Sequence, residues 1–301
     1  MQKLAVAVIG SGTMGNGIAH CFAQKGNEVL LIDANPAQLE NALITIEKNL
    51  IRQVKKGTIT AQELQATLSN ISTNVQIDET IATRDIVVEA VTEDEEVKSA
   101  LFVELDRLTP SSVILASNTS SISISNIAKN CLQPERIVGM HFMNPVPIME
   151  LVEVIKGDQT SPNIVTQTEA ICSALGKTPI IAKDFPGFVA NRILMPMLNE
   201  AILAREQGVS GTAEIDQIMM LGMSHPMGPL ELADLIGLDV CLNIMAVLHK
   251  GFKNDKYRPA KLLQELVEKG HNGRKSGSGF YTYSLEGKSK SVAPLPMDKS
   301  A

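Results

Sequence analysis

Two groups of residues in this 301-residue chain have the types and spacing that chemistry requires. The first is Gly10-Ser11-Gly12-Thr13-Met14-Gly15, a GxGxxG sequence that leaves an apolar run and opens a helical pattern. Asp33 follows 18 positions after Gly15, at the end of the next apolar run. In that setting the glycines predict a dinucleotide site. Gly10 permits the tight turn, Gly12 lets backbone approach a pyrophosphate, and Gly15 lets the helix lie close to the strand. The amides at the helix start, around Thr13 and Met14, are the donors for phosphate. The Asp33 carboxylate suits ribose hydroxyls and repels a 2′-phosphate, and no Arg follows within Ala34-Asn35-Pro36. The expected cofactor is therefore NAD rather than NADP.

Hydride transfer also needs an acid or base for the substrate oxygen and groups that hold it. In an open α/β sheet these sit at strand C-termini. Two stretches qualify: Ser117-Asn118-Thr119-Ser120-Ser121, and His141 just before the turn signal Asn144-Pro145. Any one of those serines could instead be a helix N-cap, and His141 could be a satisfied core histidine. Glu150 and Glu153 are embedded in the run IMELVEVI, which is apolar on both alternating faces. A buried carboxylate needs a partner, and a histidine ring N–H is the nearest plausible one. Alternation alone does not choose between the two acids, and either could lie exposed at a sheet rim. The other four histidines suit catalysis less. His20 is mid-helix, His225 precedes Pro226, His249 closes a helix and His271 sits in a polar turn.

The elements that must position these residues follow from periodicity. Short apolar runs at 4–9, 28–33, 86–91, 112–116, 137–142, 148–155 and 178–182 alternate with helical patterns. That alternation predicts a Rossmann-type doubly wound α/β sheet. Residues 36–68 predict an inserted helical hairpin, with Pro36 at its first helical position and a turn at Gly57-Thr58. After Asp184 the pattern is all-α, with helices over 188–207, 213–221, 228–250 and 259–269. Pro196 should kink the first, and Met219, Met220, Met223, Met227 and Met245 read as packed core. The expected domains are 1–185 for the cofactor and 186–284 for the substrate and dimerisation, with a flexible tail over 285–301.

Composition narrows the class. The 27 Lys and Arg against 33 Asp and Glu give a net charge of −6, the wrong balance for a nucleic-acid partner. Aromatics make up 3% with no Trp, which argues against base or sugar stacking. The four cysteines lack metal spacing and read as small buried hydrophobes in a reducing compartment, with no metal site. Without a long apolar run or a cleavable leader, the expectation is a cytoplasmic chain with no membrane partner.

With these residues in view, the chain resembles the L-3-hydroxyacyl-CoA dehydrogenase family from Leu4 to about Tyr283. The matching stretches are GSGTMGNGIA (10–19), VEAVTEDEEVK (88–98), SNTSS (117–121), HFMNPVPIMELVEVI (141–155), PGFVANRI (186–193), HPMGPLELADLIGLD (225–239) and GRKSGSGFY (273–281). The resemblance implies that His141 is the base and that Glu153, not Glu150, orients it. It implies that Ser120 and Asn191 hold the substrate oxygen, so the helical part must close over the cofactor. Glu93, Lys98, Asn144 and Lys275 match positions near the nicotinamide half of NAD. The hairpin matches the family's CoA-binding excursion, where Lys48, Arg52, Lys55 and Lys56 recur on one basic face suited to CoA phosphates. Asn49 stands where some relatives place a CoA-binding Ser. The implied activity is NAD-dependent oxidation of a short-chain 3-hydroxyacyl-CoA, or the reverse reduction, and the apolar, Met-rich helical part suggests a homodimer. A dehydrogenase of a non-CoA hydroxy acid or sugar acid on the same scaffold is the alternative.

Overall fold

The computed structural model describes residues 3–284 and 290–295. The chain separates into two compact units, one ending at Phe185 and the other beginning at Pro186. In the first, β1 (Ala5–Ile9), α1 (Thr13–Gln24) and β2 (Glu28–Ile32) form the expected βαβ unit. Next come α2 (Pro36–Lys55), α3 (Ala61–Ser69), β3 (Ile71–Asn74), β4 (Ile86–Glu89), α4 (Glu95–Leu108), β5 (Ile114–Ser117) and α5 (Ile124–Ala128). The unit closes with β6 (Ile137–Phe142), β7 (Leu151–Lys156), α6 (Pro162–Ala174) and β8 (Thr178–Lys183). The strands make one eight-stranded sheet in the order β3-β2-β1-β4-β5-β6-β7-β8. Every neighbouring pair is parallel except β6 and β7. Residues 143–150 join those two, too short a connection for a helical crossover, so the chain turns straight back as a hairpin.

The glycine turn has the geometry its residues require. Gly10 has φ +93°, and a Cβ there would lie 2.5 Å from the Ala90 carbonyl oxygen. A Cβ at Gly15 would overlap the carbonyl oxygen of Gly10, so the helix start can approach the turn only without a side chain.

The inserted hairpin is present. Asn35 accepts from the Ala37 amide to cap α2, Pro36 takes the first helical position, and a Thr60–Glu63 capping box opens α3. Leu39, Ala42, Ile46 and Leu50 bury one face of α2 in the core of the first unit. Three expectations for this unit need correction. β3 is an added edge strand whose short, mostly polar sequence ISTN carries no apolar signal. The run at 148–155 becomes strand only from Leu151, because Ile148, Met149 and Glu150 are exposed in the hairpin loop. β7 and β8 run against the other strands, so the sheet is mixed.

The second unit is helical: α7 (Ala190–Glu206), α8 (Thr212–Met223), α9 (Pro229–Ile236), α10 (Leu238–Phe252) and α11 (Lys261–Glu268). The helix expected over 228–250 is two helices, meeting at 96°. Gly237 makes the break at φ +106°, a conformation that side chains rarely adopt. α7 continues through Pro196. Of the five methionines read as core, only Met245 is fully buried; Met219, Met220 and Met227 are half-buried, and Met223 is exposed. The tail is not flexible throughout. β9 (Tyr281–Tyr283) pairs with β10 (Lys290–Val292), and Leu295 is buried, while 285–289 and 296–301 lie outside the described residues. Among the described residues no single helix is long and apolar enough to cross a membrane.

Candidate active site

The parallel strands β1, β4, β5 and β6 deliver Gly10, Glu89, Ser117 and Phe142 to one edge of the sheet. Beside the glycine turn is a cleft of about 770 Å³ whose lining includes Gly12, Ile32, Asp33, Val91 and Leu101. A Cβ added at Gly12 would meet nothing within 4 Å, so the backbone there is open to a ligand. No side chain caps α1, whose first residues are Thr13 and Met14. Asp33 accepts from the amide and hydroxyl of Ser11, both at 2.8 Å, and from the Asn35 amide at 2.9 Å. Partial burial works to raise the Asp33 pKa, but these donors outweigh it and hold the carboxyl below its usual range. A bare backbone turn, an open helix start and an ionised acid at the second strand together fit a dinucleotide.

The β6–β7 hairpin settles which acid meets the histidine. Its antiparallel register places Glu153 directly opposite His141. The Nδ1 of His141 lies 2.8 Å from Glu153 Oε2, with both side chains buried. A carboxylate can only accept, so Nδ1 carries the hydrogen, and in the neutral tautomer Nε2 is the nitrogen with the lone pair. Glu150 is exposed in the loop ahead of β7 and has no place in this pair. Asn118 accepts from the Phe142 amide at 2.9 Å, which ties the end of the histidine strand to the serine loop. Asn144 follows in the hairpin loop, exposed, with a cis bond to Pro145.

Glu93 organises the serine loop. Its Oε1 accepts from the Thr119 hydroxyl at 2.7 Å, the Ser120 amide at 2.8 Å and the Ser120 hydroxyl at 3.0 Å. Longer bonds come from the amide and hydroxyl of Ser121. Burial works against ionisation of Glu93, but Lys98 and these donors prevail and hold its carboxyl below the usual range. The Lys98 ammonium is itself fully buried between Glu89 at 2.5 Å and Glu93 at 3.4 Å. Glu89 also accepts from the Ser117 hydroxyl at 2.6 Å and the Val91 amide at 2.7 Å. Sequence reasoning placed Asn118 in the candidate loop without a role and missed Glu89. The acid sits in the apolar run IVVEAV, where a charge needs a buried partner, and that was the available signal.

On the hairpin, Lys48, Arg52, Lys55 and Lys56 are exposed, forming the basic face. The side-chain oxygen of Asn49 accepts from Arg52 at 3.2 Å. In the second unit, Asn191 is buried in the first turn of α7. Lys275 pairs with Asp239 at 2.6 Å. Its loop is held by Asp234, which accepts from the amides of Phe280 and Tyr281 and the hydroxyl of Tyr283. Burial pushes the Asp234 carboxyl up to about 6 despite those donors. Of the remaining histidines, His20 is buried against Gln53, and burial pushes its pKa down to about 4. His249 pairs with Asp255 on the surface. All four cysteines are free thiols. Among the described residues no cluster of His, Cys, Asp or Glu could hold a metal ion.

Comparison with known proteins gives concordant matches. The model of the 3-hydroxyacyl-CoA dehydrogenase NAD-binding domain matches residues 5–185, and that of the C-terminal domain matches 187–283. A probable 3-hydroxybutyryl-CoA dehydrogenase of Deinococcus radiodurans is 51% identical over 280 residues, covering 92% of this chain and 99% of that protein. One from Bacillus subtilis is 47% identical over 283 residues, covering 94% and 98%. The crystal structure of (S)-3-hydroxybutyryl-CoA dehydrogenase from Ralstonia eutropha superposes with a TM-score of 0.90 at 44% identity, covering 94% of this chain and all of that one. The glycine turn with its acid, the register-matched histidine and glutamate, and these matches agree: the chain belongs to the 3-hydroxyacyl-CoA dehydrogenase family.

Proposed function

We propose that this protein oxidises the 3-hydroxyl of short-chain L-3-hydroxyacyl-CoA thioesters to 3-oxoacyl-CoA with NAD, and runs the reverse reduction, with His141 as the acid and base. The register-fixed His141–Glu153 pair at the carboxyl edge of the sheet carries this reading. NAD⁺ supplies the hydride acceptor when bound. Nε2 of His141 takes the hydroxyl proton, and the bond from Nδ1 to Glu153 fixes the ring and its tautomer while the imidazolium forms. In the reverse direction the same nitrogen returns the proton.

Ser120 and Asn191 hold the substrate oxygen in this reading. The Ser120 hydroxyl lies 3.0 Å from Glu93 Oε1, which holds its side chain in the serine loop. Asp33 holds the ribose. Gly10, Gly12, Thr13, Met14 and Gly15 cradle the pyrophosphate, while Glu93, Lys98, Asn144 and Lys275 border the nicotinamide half. Lys48, Arg52, Lys55 and Lys56 receive the CoA phosphates, with Lys56 and Asn49 in contact with CoA. Homodimerisation belongs to the same reading, supported by the exposed apolar Ile218, Leu221 and Met223 on α8. A monomer mass in sedimentation at all concentrations would remove it.

The direct test is NADH formation with L-3-hydroxyacyl-CoAs of graded chain length, beside free 3-hydroxybutyrate and with free CoA as inhibitor. Turnover is expected with the shortest thioesters and competition from CoA. Turnover of the free acid without CoA inhibition would favour the non-CoA hydroxy-acid reading.

A further inference from the structure

The polar groups between β4, β5 and α4 close into a ring. The Lys98 ammonium meets Glu89 Oε1 at 2.5 Å, and Glu89 Oε2 accepts from the Ser117 hydroxyl at 2.6 Å. The Ser117 oxygen accepts from the Thr119 amide at 3.2 Å, and the Thr119 hydroxyl donates to Glu93 Oε1 at 2.7 Å. Glu93 Oε2 returns to Lys98 at 3.4 Å. Two carboxylates face one ammonium, a net charge of −1. Lys98 and Glu89 are 1% and 0% exposed, so this charge is poorly screened, while Glu93 is 39% exposed and opens the ring toward solvent. The other acids of this segment have local duties. Asp94 caps α4, Glu95 takes the Asn126 amide, and Glu96 lies in the first turn, where it favours the helix dipole.

Stability does not account for Glu89. A buried ion pair replaced by apolar groups of similar volume is often neutral or stabilising, and one carboxylate would already neutralise Lys98. The excess charge needs another reason. In the oxidised cofactor the nicotinamide ring carries a positive charge, which is lost on reduction. We propose that Glu89, acting through this ring, holds a fixed negative charge that favours the oxidised over the reduced nicotinamide. Glu89 is thus an electrostatic positioning residue, set behind Lys98 and Glu93. The inference rests on the reading that Glu93 and Lys98 border the nicotinamide half.

The test is equilibrium titration of NAD⁺ and NADH, without substrate, on the whole enzyme. Glu89→Gln keeps shape and acceptor but brings the net charge to 0. The Kd ratio of NAD⁺ to NADH should rise roughly three- to tenfold. An unchanged ratio, or equal weakening of both forms, overturns the proposal. Ser117→Ala opens the ring without changing charge, so it should leave the ratio as in the parent; an equal shift there would make the effect one of packing. The double variant Glu89→Gln/Lys98→Met restores the net charge of −1 with no buried ion pair to break. Its ratio should move back from the Glu89→Gln value toward the parent even if the loss of Lys98 weakens both forms, and a ratio that stays fully shifted overturns the proposal. Glu93→Gln separates the two layers of the argument. A shifted ratio there, with none in Glu89→Gln, sinks only the role of Glu89; no change in either affinity sinks the cofactor assignment beneath it.

Discussion

Two of the cations buried in the first unit, Arg136 and Lys98, are both paired with carboxylates, yet they are neutralised differently. Arg136 stands where the chain enters β6, with Asp106 beside it at 2.7 Å. Its remaining donors reach the Thr109 hydroxyl and the carbonyls of Asp106, Thr109, Pro110 and Val113. Asp106 in turn accepts the amides of Leu132 and Gln133. One charge meets one charge, and the loops entering β5 and β6 are pinned. Lys98 lies where β4 and β5 end, between two carboxylates, one of which reaches solvent. Charge is therefore balanced at the edge that only holds the fold together and left in excess at the edge that carries the site. An ion pair that ends in a fully satisfied network reads as architecture; one that leaves a net charge beside a cleft reads as function.

Substitutions can break this contrast. The largest effect on stability should come from Asp106→Ala, which strands the Arg136 charge in the interior at a cost of about 3–5 kcal/mol. Chemical denaturation checks this, and kcat per folded molecule should stay at the parent value, since this edge carries no chemistry. Glu153→Gln should be milder for the fold but heavier for turnover. The amide oxygen can still accept from Nδ1, but the charge that supports the imidazolium is gone. Hydrogen bonds to charged groups are worth about 1.5–3 kcal/mol, so kcat should fall by up to roughly 10–150-fold with the acidic limb of the pH profile moved. A profile identical to the parent would detach Glu153 from the base.

Asp33→Ala should weaken NAD binding about tenfold, the worth of roughly one hydrogen bond, and narrow its lead over NADP. Titration of both cofactors reads this. The smallest effect is on acid stability. The folded Asp33 carboxyl titrates below its ordinary value of 3.8, so its contribution is fully present above that pH. It is lost as pH falls through the lower folded value, because the unfolded chain takes up the proton first. Thermal unfolding between pH 5 and pH 3 should fall slightly less steeply in Asp33→Ala than in the parent.

How much of this was readable from sequence depended on what each residue's neighbours were. The glycine turn was legible because GxGxxG, a preceding apolar run and a distal acid are all local. His141 was legible as the end of a strand, yet its partner needed strand direction, which alternation does not encode. The short stretch between the two runs did hold that information, since it leaves no room for a crossover. β3 was invisible because an edge strand facing solvent needs few apolar residues. The bend at Gly237 was hidden because Ile236 and Leu238 continue the apolar pattern across it. Glu89 escaped notice because a buried acid looks like an accident within IVVEAV until Lys98 and Ser117, nine and 28 residues away, are seen beside it.

The most direct test of the whole account is His141→Gln, with turnover and NAD affinity measured on the same preparation. Removing the base should lower kcat by roughly 10²–10⁴-fold while the Kd for NAD stays near the parent value. Turnover retained at the parent level would contradict the assignment of His141 as the group that moves the proton.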